Sequence, residues 1–294
     1  LDHAFQGGRA SVQAGWDKAL SNRSSDATSL VTHKFPSIPQ YVMGGFGKEQ
    51  KEQDTWTLKG RIDFDPIRTG VFTHTPYAGV DLQRVDVNFE RFSDAYSYIA
   101  THAANGVERH ASKVHYLRGT VETKYNAASV YLSDRVELGR VALTGALRYD
   151  RETFLGNTNV SPRTRLDWDA FGNGNTVVSG GWARYYGSDV LNIALEERVN
   201  TLRRQVLDRY GNPVADGSKP YYASYEGLRT PYDDEWALSV RQRMGGLEGL
   251  AAYVHRNGRD QVNKRGDSVQ GYQYLNDGKS TTDTVSLSLR TLTP

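Results

Sequence analysis

The 294-residue sequence contains no cysteine, which excludes a disulfide framework and a thiolate metal site. It also lacks any apolar run approaching the roughly 18 residues that a transmembrane helix requires. Charge of one sign is not in excess: the formal net charge is +2, so a general nucleic-acid footprint is not indicated. No G-x-S-x-G elbow, phosphate loop or dinucleotide fingerprint occurs, and an enzyme is not expected. Methionine occurs only twice, against 29 Gly and 18 Tyr, a composition that suits strands, interfaces and tight turns better than helical bundles. The mean hydropathy, −0.62, is polar even for a water-soluble protein. That does not exclude a membrane, because a spanning strand needs only about 9–11 residues and only its lipid-facing half must be apolar.

What is present is alternation. Trp56, Leu58, Gly60, Ile62 and Phe64 take every second position, and Thr57, Lys59, Arg61 and Asp63 lie between them. Side chains alternate across a strand, so one face is apolar and the other charged. The pattern returns at Val141, Leu143, Gly145, Leu147 and Tyr149; at Thr164, Leu166 and Trp168; at Val178, Gly180 and Trp182; at Trp236, Leu238 and Val240; and at Val285, Leu287 and Leu289. Short turns are predicted near 65–70, 138–140, 171–175 and 244–249. Long polar links are predicted near 18–52, 93–118, 188–231 and 258–281, with an intermediate one at 152–159. Short and long alternate down the chain, as the periplasmic turns and extracellular loops of outer-membrane barrels do. The reading is all-β: an antiparallel transmembrane β-barrel segment of about ten strands. A soluble antiparallel sandwich also alternates, but it need not place its long loops on one side. Its buried faces should also carry bulk where this chain has Gly60, Gly145 and Gly180. No repeat of fixed period appears, which argues against a propeller. Leu1 is not an initiator, no signal-peptide pattern follows it, and Pro294 directly follows a strand-like run. Residues 1–294 are therefore read as one partial barrel domain of a longer polypeptide.

The stretch from Asn159 to Gly187, with Ser161-Pro-Arg163, Trp168-Asp169, a Gly/Asn turn and Gly180-Gly-Trp-Ala-Arg-Tyr-Tyr186, resembles the barrel of TonB-dependent outer-membrane receptors. Thr230-Pro-Tyr-Asp-Asp-Glu-Trp236 looks like the family's next descending strand, and Leu58–Phe64 like an earlier hairpin. The resemblance is strong near 139–187 and 230–262 and weak before 53. It is most similar to receptors with a carboxypeptidase-regulatory-like N-terminal extension. The resemblance implies a 22-stranded barrel filled by an N-terminal plug, neither the plug nor the final strands being part of this chain. It also implies contact with the TonB complex through a segment ahead of the plug, a lipid bilayer as surroundings, and a small nutrient of unknown class as ligand.

Candidate site residues follow from residue type. The loop 188–231 carries Tyr210, Tyr221, Tyr222 and Tyr225, whose rings offer rigid contact area and a hydroxyl for capturing a ligand; ordinary loop packing explains them too. His102, His110 and His115 fall in or near one loop and are considered as metal or haem ligands, although no supporting motif accompanies them. No cofactor or catalytic residue is expected. Asp54, Asp63, Asp167, Asp169 and Glu235 are assigned to the polar face with Lys59, Arg61, Arg148, Arg163, Arg165 and Arg241. Trp56, Tyr149, Trp168, Trp182, Tyr185, Tyr186 and Trp236 are assigned to an interfacial girdle. The leading expectation is nutrient uptake coupled to TonB; a passive porin, an adhesin-like barrel and a soluble β-rich binding domain are the rivals.

Overall fold

The computed structural model describes residues 1–187, 190–214, 223–267 and 271–292. Its main element is a 13-stranded sheet. Ten long strands build it: β1 (Gly8–Arg23), β2 (Glu49–Phe64), β3 (Phe72–Arg91), β4 (Gly119–Leu138), β5 (Val141–Glu152), β6 (Thr158–Asp169), β7 (Thr176–Tyr186), β8 (Tyr232–Met244), β9 (Leu247–Asp267) and β10 (Gly271–Thr291). Each pairs antiparallel with the next, in chain order. Short strands Asp2–Phe5, Ile67–Thr69 and Ala223–Ser224 add to β1, β3 and β10. No described helix is long and apolar enough to cross a membrane.

The expected alternation is present, and its polarity is inverted relative to a soluble sheet. Leu132 is 59% exposed while its neighbour Ser133 is 2% exposed. Apolar side chains form continuous rows across the outer face. One row runs Val12, Gly60, Val80, Val130, Tyr149 and Val160. Another runs Leu166, Gly180, Leu238, Tyr253 and Val285. Water would not tolerate such a band on a folded surface, whereas hydrocarbon favours it.

Two cross-strand tryptophan pairs mark where the band ends. Trp16 and Trp56 stack at 5.7 Å, and Trp182 and Trp236 lie 6.2 Å apart. Just above each pair the outer face becomes charged, with Asp54 accepting from Trp16 Nε1 at 3.1 Å and Arg184 paired to Asp234 at 2.8 Å. Following the register from Ala183–Glu235 back through Arg163, Ala146, Ser133 and Tyr77 leads to Asp63, so the second tryptophan row meets β2 at the level of Phe64. The boundary thus shifts by about eight residues, ~26 Å of strand, over six inter-strand steps of ~4.8 Å. That slope gives a strand tilt of about 40°, within the range of outer-membrane barrels.

Short turns and long connections alternate as expected. Gly139 and Gly245 open two-residue hairpins with φ of 56° each, a left-handed conformation that glycine adopts without a Cβ clash. Three expectations need correction. The first strand, β1, was not identified from the sequence, and the link predicted near 18–52 is shorter, 24–48, because β1 continues to Arg23. Its apolar face is diluted by Ala10 and Ala14, which weakens the periodic signal. The segment 258–281 is largely the continued pairing of β9 and β10 as far as Asp267 and Gly271. Asp54 shares a face with Trp56, not with Lys59; above the hydrocarbon the outer face is wet and can carry charge.

The long connections fold into structure of their own. Strands Arg203–Gln205, Glu108–Tyr116, Ala95–His102, Ser29–Lys34 and Tyr41–Gly44 form a five-stranded sheet in that order. Helix α1 (Val190–Asn200) lays Leu195 and Val199 on Val85, Val87 and Phe89, on the inner side of β3. Buried apolar packing therefore gathers on the loop side, above the hydrocarbon band.

Candidate functional site: a roofed polar cavity on the inner face

The inner face of β2–β7 carries the polar half of the alternation. Beneath the long loops it encloses a cavity of about 390 Å³ lined by Lys59, Asp81, Ser129, Arg148, Asp150, Glu152, Asn159, Ser161, Arg163 and Tyr185. Tyr185 therefore faces inward and leaves the expected girdle. Residue parity places it opposite Trp182 and Tyr186, because side chains one position apart point to opposite faces.

The acids of this cavity are already engaged. Arg148 reaches Asp81 and Asp150 at 2.8 Å each and donates to Ser129 Oγ at 2.7 Å. Ser129 in turn donates to Asp150 at 2.5 Å. Glu152, 6% exposed, accepts from the backbone N–H groups of Phe154, Leu155 and Asn157 at 2.6, 3.0 and 3.1 Å. Its charge is spent on shaping the β5–β6 turn. Two cations are not engaged in this way. Among the described residues neither Lys59 nor Arg163 has a carboxylate within ion-pair distance, and the Arg163 guanidinium lies 4.6 Å from the centre of the Tyr185 ring. The cavity thus presents two uncompensated positive charges with hydroxyl and amide groups around them.

The described parts of the loop 188–231, residues 190–214 and 223–231, form the roof. Asn157 Nδ2 donates to the Leu228 carbonyl at 3.0 Å, and Asn159 Nδ2 donates to Thr230 Oγ1 at 3.2 Å. Helix α1 spans to the far strands, where Glu196 accepts from Lys264 at 2.5 Å and from the Tyr274 hydroxyl. Burial opposes ionisation of Glu196, but the hydrogen bonds from Lys264 and Tyr274 outweigh it and hold the carboxyl below its usual range. Burial and the adjacent Glu196 push the Tyr274 hydroxyl upward.

The residues expected from the sequence are dispersed. Tyr210 is 72% exposed on a turn closed by Asp208, with Arg209 over its ring at 4.6 Å. Tyr225 packs on Phe154 at 4.6 Å and joins the Leu228–Tyr274 cluster, so it supports the roof. Tyr221 and Tyr222 lie outside the described residues. The three histidines do not all converge. His102 and His110 share Glu108, at 3.7 and 2.6 Å, and His102 also meets His33 at 3.0 Å, whereas His115 stands apart and meets Asp94 at 2.8 Å. Among the described residues no group of three His, Asp or Glu side chains could hold a metal ion. His74, which belongs to no motif, pairs with Asp134 at 2.7 Å on the outer face. Parity alone had placed Lys59, Arg148 and Arg163 on the inner face. It could not show which of them would remain unpaired, because that depends on cross-strand register.

No family model matches the chain. The Escherichia coli (strain K12) protein YddB is 31% identical over 285 residues, 95% of this chain and 33% of that protein. The chain therefore spans about a third of the length of this curated relative. The crystal structure of the outer membrane transporter YddB from Escherichia coli superposes with a TM-score of 0.74 at 28% identity, covering 98% of this chain and 38% of that one. The ferric enterobactin receptor PfeA of Pseudomonas aeruginosa superposes with a TM-score of 0.64 at 14% identity, covering 97% of this chain and 40% of that chain, and supports the fold alone. These neighbours are transporters and receptors, not enzymes. With the inverted faces, the tryptophan boundary and the strand tilt, they place the chain in the outer membrane, as an antiparallel sheet of the kind that builds the β-barrels of these transporters and receptors.

Proposed function

We propose that the receptor containing this chain takes up a small anionic nutrient, bound in the inner-face cavity beneath α1 and passed inward with energy coupled through TonB. The observation that carries the ligand's charge is the pair Lys59 and Arg163, left without acidic partners while every nearby carboxylate is engaged. A carboxylate- or phosphate-bearing ligand would complete both cations, and Ser161 and Asn159 offer hydrogen bonds beside them. TonB coupling rests on the resemblance of the strands near 139–187 and 230–262 to those of TonB-dependent receptors. Tyr210 and Tyr225, on the loop side of the cavity, belong to this proposal, as do Tyr221 and Tyr222, which lie outside the described residues.

The test uses the full-length receptor in outer membranes and a panel of anionic and matched neutral small molecules. Uptake of the anionic members should depend on TonB. Arg163→Gln and Lys59→Gln should each weaken binding by about tenfold or more, since a hydrogen bond to a charged group contributes about 1.5–3 kcal/mol. Equal binding of neutral analogues, or unchanged affinity in both variants, would refute the anionic reading. Uptake that persists without TonB would refute the coupling.

A further inference from the structure

One carboxylate of the inner wall stands apart from the others. Arg148 takes Asp81 and Asp150, Arg135 and Arg165 take Asp167, and Arg256 takes Glu235 at 2.5 and 3.0 Å. Asp233, half-buried at the upper end of β8, has no such partner. Its only donor among the described residues is Gln261 Nε2, a neutral amide 3.4 Å from Oδ1, and its Oδ2 accepts no hydrogen bond. The cations nearby are committed elsewhere: Arg256 to Glu235, Arg229 to Asp260 at 2.8 Å and Lys264 to Glu196. Arg259 follows Gly258, the residue opposite Asp233 on β9; it is exposed and makes no ion pair among the described residues.

The surroundings of Asp233 are apolar. It lies in the wall of a second cavity, of about 270 Å³, lined by Leu155, Ile193, Leu228, Pro231 and Val262. This cavity sits under the roof, between helix α1, which supplies Ile193, and the upper ends of β8 and β9. Leu228 is buried there, with Leu155, Ile193 and Val262 packed around it. An ionised carboxylate against an apolar lining is costly unless an opposite charge meets it. An ammonium or guanidinium on an apolar stem would supply that charge and occupy the space beside it.

The roof cavity adjoins the one that holds Lys59 and Arg163. Gly187 lines both, and Thr230 of one is followed in the chain by Pro231 of the other. Gly187 has no side chain to divide them, and even a Cβ there would meet only Pro231, at 3.6 and 4.0 Å. The register sets the spacing of the charges. Arg163 pairs with Ala183 on β7, and Asp233 pairs with Tyr185, two residues further along the same strand. Two inter-strand steps of ~4.8 Å and two residues of ~3.4 Å put the Cα atoms of Arg163 and Asp233 about 12 Å apart. The wall thus offers a positive end and a negative end, with apolar surface beside the negative one.

We propose that the roof cavity binds an amine of the ligand on Asp233. Together with the anionic reading of the first cavity, on which this step rests, that makes the nutrient a zwitterion with an apolar body. An extended chain of three residues reaches about 10 Å, close to the spacing of the two ends. Trileucine is therefore the probe, with N-acetyl-trileucine and trileucine amide each lacking one of its charges. Binding is measured by calorimetry on the detergent-purified full-length receptor. Trileucine should bind saturably, and acetylation should weaken it at least about tenfold, as loss of a hydrogen-bonded charge does. Asp233→Asn should weaken trileucine to a similar degree and leave N-acetyl-trileucine unchanged. Lys59→Gln should keep the preference for the free amine. A heat-modifiable gel shift verifies that Asp233→Asn is folded; if it is not, the free and acetylated peptides compared on the unaltered receptor decide. Equal binding of those two peptides, no binding of trileucine, or a folded Asp233→Asn that still prefers the free amine overturns the proposal. The anionic reading fails separately: trileucine amide binding as well as trileucine refutes it, and leaves the amine site standing if acetylation still weakens binding.

Discussion

The two faces of one strand are the most informative contrast in this molecule. On β8, Val240 is 41% exposed and faces outward, while the next residue, Arg241, faces inward and pairs with Glu248 at 3.4 Å. In a water-soluble sheet the apolar face would be buried and the charged face exposed. Here the medium outside is hydrocarbon and the space inside is polar, so the same period-two pattern has the opposite meaning. The sharpest way to break this comparison is to put a charge on each face in turn. Val240→Arg places a cation near the middle of the apolar band and should cost about 2–4 kcal/mol. Ser239→Arg, its inward-facing neighbour, should cost less than about 1 kcal/mol, because the inner face already solvates arginines. Unfolding of the full-length receptor from lipid vesicles measures both. Equal costs would mean that the two faces do not see different solvents.

Glycines give a finer version of the same test. A Cβ at Gly79, on the inner face, would sit 2.3 and 2.4 Å from Tyr131 atoms and 2.6 Å from the Gly60 carbonyl oxygen. Gly79→Ala should therefore cost about 1–3 kcal/mol through overpacking. A Cβ at Gly145, on the outer face, meets nothing within 4 Å. Gly145→Ala should stay within about 0.5 kcal/mol, as surface substitutions usually do. A large loss at Gly145 would point to a protein neighbour on that face in place of lipid.

The spanning part of the fold was legible because a sheet between two solvents writes both into its sequence. Trp56 to Phe64 alternates without a break, and the structure keeps its face and extent. β1 was missed because alanine and glycine dilute its outward face, where Val12, Trp16 and Leu20 are the only large apolar residues. The loop-side structure was not legible, since the five-stranded sheet joins Ser29–Lys34 to Ala95–His102 in parallel across distant segments. The same limit governed the candidate site. His102, His110 and His115 looked like one group by proximity in sequence; His102 and His110 do share Glu108, but His102 also meets His33, 69 residues away, and His115 turns to Asp94. Lys59 and Arg163 were placed on the correct face, but only the register shows Arg148 taking both nearby aspartates.

The inner face itself changes character above the bilayer, and this sharpens the comparison at its weakest point. Below, it is a ladder of ion pairs; above, Val85, Val87 and Phe89 make a core with α1. One charge belongs to both regimes: Glu196, on the helix that covers the cavity, tied to Lys264 and Tyr274. Its folded pKa lies below the ordinary value of 4.5, so its contribution is fully present above that value and disappears as pH falls through the lower, folded one. Because the carboxyl is partly solvated, that contribution should be small, about 0.5–1 kcal/mol. Hydrogen exchange of residues 190–200 should accelerate on acidification from pH 6 to about pH 3. In Glu196→Gln the exchange should be slightly faster at pH 6, and less of the acid-induced loss of protection should remain once base-line exchange rates are corrected for pH. If the variant keeps the whole acid response, the helix is held by its apolar face alone, and the roof of the cavity does not depend on this charge.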